Sequence, residues 1–218
     1  MSRRVIFALL LFILLTTVTF ESKIFASKFN VKKIIIENNS LLKEKDIKIL
    51  LTPIYQKNII FLKNKDIQKA LKKNNFIESF NVKKKYPSTL KIKIFEYEPI
   101  AILIDKKKKF YLNKKINAIK FKNFQTFENL PYVFGNKEEF KIFYNNLKKI
   151  DFPFYQIKKF TFYGSNRWNL ETKNNKIIKL PSKNYIESLE NFLSISSKSD
   201  FKKFKVFDYR INNQLILK

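Results

Sequence analysis

The chain has 218 residues, of which 45 are Lys or Arg and 18 are Asp or Glu, a formal net charge of +27. It holds only two glycines, Gly135 and Gly164, and neither cysteine nor histidine. Disulfides, thiol nucleophiles, His-based triads, His-ligated metals and a glycine-rich phosphate loop are therefore excluded.

Behind Ser2-Arg3-Arg4, residues 5–20 form an uncharged run centred on Leu9-Leu10-Leu11-Phe12-Ile13-Leu14-Leu15. As a helix this run spans roughly 24 Å, slightly short of the ~30 Å hydrocarbon core. Ser22 extends it and Lys23 can snorkel. Read as a transmembrane anchor over 5–23, it leaves residues 1–4 as a cytoplasmic tail and the bulk of the chain outside, because Arg3 and Arg4 stay inside. The competing reading is a signal peptide cleaved after Ala26, although Ile24 is bulky for a small-x-small site.

Residues 29–37 are rich in Val and Ile and read as a strand, followed by an Asn38-Asn39-Ser40 turn. Leu42, Ile47, Leu50 and Leu51 fall at helical spacing, and Thr52-Pro53 ends that helix. Asn64 is the expected N-cap of a second helix with an apolar stripe of Ile67, Ala70 and Leu71. A strand carrying Ile77, Phe80 and Val82 follows, then a Tyr86-Pro87-Ser88 turn. The next strand alternates Leu90, Ile92 and Ile94 with Lys91 and Lys93. The order is β-α-α-β-β, two helices on one face of a small sheet.

After Pro99, residues 100–104 and 110–112 read as a hairpin, and 130–135 as a short strand closed by Gly135. A helix carries Phe140, Phe143, Leu147 and Ile150. Strands are expected at 157–163, 167–172 and 176–180, the last pair joined by Lys173-Asn174-Asn175. Ser182 is the expected cap of a helix bearing Tyr185, Ile186, Leu189 and Phe192. Two strands, 204–210 and 214–218, close the chain around Asn212-Asn213. No Gly/Ser-rich linker separates the two parts, so they join near Pro99.

The positive charge admits nucleic acid or an anionic surface as partner. The lysines, however, are spread along the whole chain and come with many Asn, Ile and Phe, which share A/T-rich codons. Genome bias accounts for that pattern, and no nucleic-acid partner is expected. Lys83-Lys84-Lys85 and 106–109 read as solvated turns, and the single tryptophan, Trp168, as a packing residue. Glu96 and Glu98 are the one close carboxylate pair near a strand end. They lack companions for catalysis and read as solvated edge charges. The chain is expected to be no enzyme and to need no cofactor or metal.

The run 77–94, with its basic residues, Tyr86-Pro87-Ser88-Thr89-Leu90 and alternating strand, continues into Glu96-Tyr97-Glu98-Pro99-Ile100-Ala101. Together with Phe29-Asn30-Val31 to Glu37-Asn38-Asn39, it resembles a POTRA domain, and the whole run through Glu-x-x-Pro-Ile-Ala is similar to the FtsQ/DivIB cell-division family in particular. Leu130-Pro131-Tyr132-Val133-Phe134-Gly135, Arg167-Trp168-Asn169-Leu170, Lys179-Leu180-Pro181 and Phe207-Asp208-Tyr209-Arg210 agree in order and spacing. Asn39 and Asn175 stand where the family often has glycine, and Asn tolerates the left-handed conformation those turns require.

The resemblance implies an α+β protein: an N-terminal transmembrane helix, a β-α-α-β-β POTRA domain at 29–98, then a C-terminal mixed β domain with two helices at 99–218. It implies a non-enzymatic divisome scaffold in the inner membrane. Such a scaffold would be single-pass, with its N-terminus cytoplasmic and its bulk periplasmic, at the midcell septum. Its expected partners are FtsB/FtsL-like division proteins, with further ones on the POTRA domain. A POTRA component of outer-membrane assembly or secretion, or an exported binder of anionic polymer, are the alternatives. An edge strand offers unpaired N–H and C=O groups to a partner, so the expected partner-binding residues are Phe207, Asp208, Tyr209, Arg210, Ile211, Asn213, Leu215 and Leu217. Asp208 and Arg210 match the family's Asp-x-Arg, while Ile211 stands where an aromatic is usual. A packed strand face of Phe207, Tyr209 and Ile211 is the plainer account of the same pattern.

Overall fold

The structure is a computed structural model that describes residues 3–17, 27–211 and 214–218. Helix α1 (Arg3–Thr17) carries the first part of the apolar run, and its described side chains are exposed. Among the described residues, no helix is long and apolar enough to cross a membrane. Residues 18–23 of the expected anchor, and the cleavage site after Ala26, lie outside the described residues.

The chain divides after Tyr97 into two compact units. The first contains β1 (Lys33–Glu37), α2 (Glu44–Leu50), α3 (Asn64–Leu71), β2 (Ile77–Lys85) and β3 (Thr89–Glu96), which is the β-α-α-β-β order. The sheet runs β1-β3-β2. β1 lies parallel to β3, with Ile34 beside Leu90 and Ile36 beside Ile92. β2 pairs antiparallel, with Val82 opposite Ile92. Strand alternation sends Ile34, Ile36, Leu90, Ile92 and Ile94 into the core, where Ile47, Ile67 and Leu71 of the helices are buried as well. Each such side chain contributes about 1.5–3 kcal/mol on full burial, so this row holds the unit together.

One carboxylate closes the sheet against the first helix. Glu96 Oε2 accepts the Ser40 and Leu41 N–H groups at 3.1 and 2.8 Å and the Ser40 hydroxyl at 2.8 Å, while Oε1 accepts the Leu42 N–H at 2.9 Å. The expectation of a solvated edge charge fails for Glu96. The turn leading to α2 has unpaired N–H donors, and an anion at the end of β3 satisfies them. Glu98, by contrast, pairs with Lys114 at 3.0 Å on the open surface of the second unit.

Several local expectations shift by a residue or two. The left-handed residue of the first turn is Asn38 (φ 64°), not Asn39, whereas Asn175 (φ 57°) does adopt it. Asn64 is the first helical residue of α3 rather than its cap. The cap is Lys63, whose N–H donates to Asp66 at 3.3 Å. Lys83, Lys84 and Lys85 belong to β2 and not to a turn.

The second unit contains β4 (Pro99–Asp105), β5 (Lys108–Asn113), β6 (Ala118–Lys120), β7 (Tyr132–Phe134), α4 (Lys137–Lys149), β8 (Ile157–Tyr163), β9 (Arg167–Thr172), β10 (Ile177–Lys179), α5 (Tyr185–Ile195), β11 (Val206–Asp208) and β12 (Ile216–Leu217). Its sheet runs β12-β11-β10-β9-β8-β7-β4-β5-β6 among the described residues. β4–β7, β7–β8 and β10–β11 are parallel pairs; the others are antiparallel. β6 had no sequence expectation, because three residues carry too little alternation to read. The last two strands are shorter than the expected 204–210 and 214–218. Asn184 (φ 54°), not Ser182, precedes α5, and its side chain makes no capping bond.

Leu103, Val133, Phe160, Leu170, Ile178 and Phe207 form one row across the inner face and share a core with Phe140, Phe143, Leu147, Leu189 and Phe192 of the two helices. The Asn146 side-chain N–H donates to the Tyr185 hydroxyl at 2.6 Å and ties α4 to α5. Trp168 is a packing residue: its ring stacks on Phe143 at 4.8 Å and tilts against Phe162 at 4.9 Å. On the outer face, Tyr111 is covered by Phe121 and Phe127 at 4.8 and 5.4 Å.

Gly135 ends β7 at φ +151°, and a Cβ there would meet the Phe162 Cβ at 2.8 Å. Because Phe162 Cβ is fixed to its strand, the backbone itself must give. Gly135→Ala is expected to cost about 2–3 kcal/mol, read as a shift in the urea midpoint at unchanged slope. Gly164 has open space around it, so Gly164→Ala is the benign control.

Candidate functional site

The last three strands decide what the end of the sheet offers. β10 and β11 are parallel, Ile178 beside Phe207 and Lys179 beside Asp208, so the chain must leave the sheet and return. Helix α5 is that crossover. Phe192 from α5 meets the fully buried Phe207 edge-on at 5.0 Å, and the Lys176 ammonium donates to the Ser196 carbonyl at 2.9 Å. β11 is thus an interior strand. β12 pairs antiparallel on its far side, Phe207 opposite Leu217 and Asp208 opposite Ile216, and is the edge of the sheet.

The expected binding residues fall into separate roles. Phe207 is core. Asp208 is buried, and its carboxylate takes both Nε and Nη2 of Arg210, at 2.7 and 2.6 Å, with Lys179 Nζ 4.0 Å away. These two charges bond each other across one intervening residue, Asp208 buried and Arg210 exposed at the surface. Tyr209 continues the ladder, its N–H donating to Lys179 O at 2.9 Å and its hydroxyl to the Asn191 side-chain oxygen at 2.9 Å. Ile211 is 50% exposed, which breaks the packed face of Phe207, Tyr209 and Ile211. Asn213 lies outside the described residues. Leu215 and Leu217 are half-buried at the edge.

Register fixes which edge groups are open. Lys218 and Val206 exchange N–H···O bonds at 3.1 and 2.9 Å. Antiparallel pairs alternate between bonded and non-bonded positions, so the N–H and C=O of Leu217 point away from β11 toward the open side. Beside this edge, Tyr209, Ile211, Gln214 and Leu215 line a groove of about 320 Å³ with Pro181 and with Glu187 and Asn191 of α5. No local pattern marks α5 as the groove's second wall, because the contact joins residues 18 apart through a crossover. Among the described residues, no group of carboxylates could hold a metal ion.

The Arg210 guanidinium holds the Asp208 carboxyl below its ordinary value, and burial opposes it. Burial pushes the Tyr209 hydroxyl well up. A carboxyl depressed in the folded state stabilises it fully above the ordinary value of 3.8 and loses that contribution as pH falls through the folded value. Arg210→Ala leaves a buried carboxylate with one distant cation, at a cost of about 1–2 kcal/mol near neutrality. The gap from the parent chain should close as the pH falls below the folded value of Asp208, as read by denaturant melts across a pH series.

Comparison with known proteins agrees with this architecture. Residues 29–97 match the POTRA domain, FtsQ-type, and residues 103–210 match the cell division protein FtsQ/DivIB C-terminal family. The cell division protein FtsQ of Rickettsia conorii is 32% identical over 190 residues, 85% of this chain and 71% of that protein. FtsQ of Rickettsia felis is 31% identical over the same shares of each chain. The major extracytoplasmic domain of the cell division protein DivIB from Geobacillus stearothermophilus overlays with a TM-score of 0.35 at 11% identity, on 49% of this chain and 96% of that one, a likeness too slight to argue from. On the strength of the two family matches and the Rickettsia relatives, the chain belongs to the FtsQ/DivIB family of cell division proteins.

Proposed function

We propose that this chain is a non-enzymatic scaffold of the division machinery, anchored by its N-terminal helix with both units outside the cytoplasm, and that the β12 edge receives a strand from an FtsB/FtsL-like partner. The open side of β12 carries the reading: among the described residues its N–H and C=O groups have no strand partner there, while the other side is bonded to β11. A partner strand would gain affinity from main-chain bonds and selectivity from the neighbouring groove. The expected site residues then divide the work. Ile211, the groove side of Leu215 and the main chain of Leu217 meet the partner, and Phe207, Asp208, Tyr209 and Arg210 hold β11 and the strand beside it in place, with the Leu217 side chain packed against the core. The FtsQ-type POTRA unit is the place for further division proteins.

The anchor rests on α1. A helix apolar on every side, with Phe7 and Phe12 exposed at 72% and 66%, has no polar face to give to water. Arg3 and Arg4 at its start set the N-terminus inside.

Two experiments test the reading. Leu217→Pro removes an N–H that makes no bond to β11, a position at which an edge strand tolerates proline. It should abolish co-purification with the partner's extracytoplasmic segment while leaving the thermal melt within a few degrees. Retained binding would sink the edge-pairing claim. Second, a fluorescent protein fused to Met1 should give a membrane-bound midcell band in dividing cells. Diffuse cytoplasmic fluorescence from a released tag would mean a cleaved signal peptide instead.

A further inference from the structure

One end of the N-terminal unit is built from three segments, 27–33, 53–63 and 83–89. Backbone bonds knit them together. Val31 N–H donates to Lys57 O at 2.9 Å, Ile59 N–H to Phe29 O at 2.8 Å, and Lys32 N–H to Ser88 O at 2.9 Å. The Lys84 ammonium adds a bond to the Ile60 carbonyl at 3.0 Å. Every charged side chain in these segments is a lysine. Asp66 of α3 answers one of them, Lys57, at 3.7 Å.

Large apolar side chains stand in solvent at this same end: Phe61 is 77% exposed, Tyr86 61% and Ile60 45%. The loop is not loosely packed, because Ile59 and Leu62 on either side of Ile60 and Phe61 are buried in the core. The inward residues fix the loop and turn Ile60 and Phe61 outward. Apolar and aromatic tips ringed by ammonium groups suit a bilayer interface. Rings and aliphatic tips enter the headgroup layer, and lysines meet lipid phosphates.

We infer that this end of the N-terminal unit rests on an anionic phospholipid surface, with Ile60, Phe61 and Tyr86 in the headgroup layer and Lys32, Lys57, Lys84 and Lys85 against phosphate. The inference rests on the anchor reading for its geometry. Residues 18–26 alone separate α1 from Ser27, and ten chain steps reach at most roughly 36 Å, so this end is kept beside the membrane in which α1 sits. A bilayer fits better than an acidic protein, because the apolar groups are separate tips on a loop and a turn.

The cysteine-free chain makes single labelling sites simple. Phe61→Cys places a dye at the contact. Asn75→Cys, an exposed residue ahead of β2, places it at the opposite end, about 30 Å away at ~3.3 Å per strand residue. Each full-length variant is labelled with an environment-sensitive nitrobenzoxadiazole dye and reconstituted in phosphatidylcholine vesicles with or without phosphatidylglycerol, with doxyl-labelled lipid as quencher. The dye at 61 should shift to the blue and quench several-fold more than the dye at 75 when phosphatidylglycerol is present. Added salt, or Lys84→Glu with Lys85→Glu, should weaken the effect. Equal, water-like signals at both sites would overturn the inference.

Alkaline carbonate extraction separates the two readings. A chain retained by carbonate with an unquenched dye at 61 keeps the anchor and overturns the lipid contact. A chain extracted by carbonate that still floats with anionic vesicles, quenched at 61, overturns the anchor and supports the contact. One that is extracted and does not float overturns both.

Discussion

Parallel pairing of β10 with β11 is the constraint from which the edge of the second sheet follows. Two parallel strands cannot be joined by a tight turn, so the chain must cross over the sheet. The crossover buries Leu189 and Phe192 of α5 against the inner face and brings β11 back into the sheet interior. Only then does the chain reverse into β12, which among the described residues finds one neighbour and one open side. The edge is therefore a consequence of topology. Its short length limits the exposed ladder, one of the ways a sheet avoids promiscuous edge pairing.

In a chain this basic, several carboxylates serve structural joints. Glu96 gathers the donors of the turn before α2. Asp208 grips Arg210 where the chain leaves β11. Glu171 bridges Lys158 and Lys159 on the outer face, and the Lys159 ammonium holds its carboxyl below the ordinary value. Glu37 pairs with Lys91 across β1 and β3. With acids scarce, their positions say more than those of the lysines: a lone lysine on the surface is solvated at little cost, whereas a carboxylate beside unpaired N–H groups replaces water that the fold has excluded.

The two units share one physical plan. Each lays two helices on a sheet whose inner rows are Ile, Leu, Val and Phe, and the second unit also buries Ile102, Tyr111 and Ile119 on its outer face. In the second unit aromatic contacts carry much of the packing: Phe140 lies within 5.5 Å of Phe160 and 6.0 Å of Trp168. Gly135 marks where that density leaves no room for a side chain.

What the sequence by itself determined were the elements with a strong local signature. The alternation of Leu90, Ile92 and Ile94, the stripe of Phe140, Phe143 and Leu147, and the Asn175 turn could be read directly, because period and turn chemistry are properties of neighbouring residues. The β-α-α-β-β order followed from them, and the family resemblance from motif runs such as Tyr86-Pro87-Ser88-Thr89-Leu90 and Glu96-Tyr97-Glu98-Pro99-Ile100-Ala101. What only the tertiary structure decided were pairings between distant residues: Glu96 with the turn at 40–42, Tyr209 with Asn191, and β11 placed inside with β12 at the edge. A run such as Phe207-Asp208-Tyr209-Arg210 reads the same on an edge strand or an interior one. Strand alternation tells one face from the other, and only the long-range ladder of hydrogen bonds tells which side of a strand is left open.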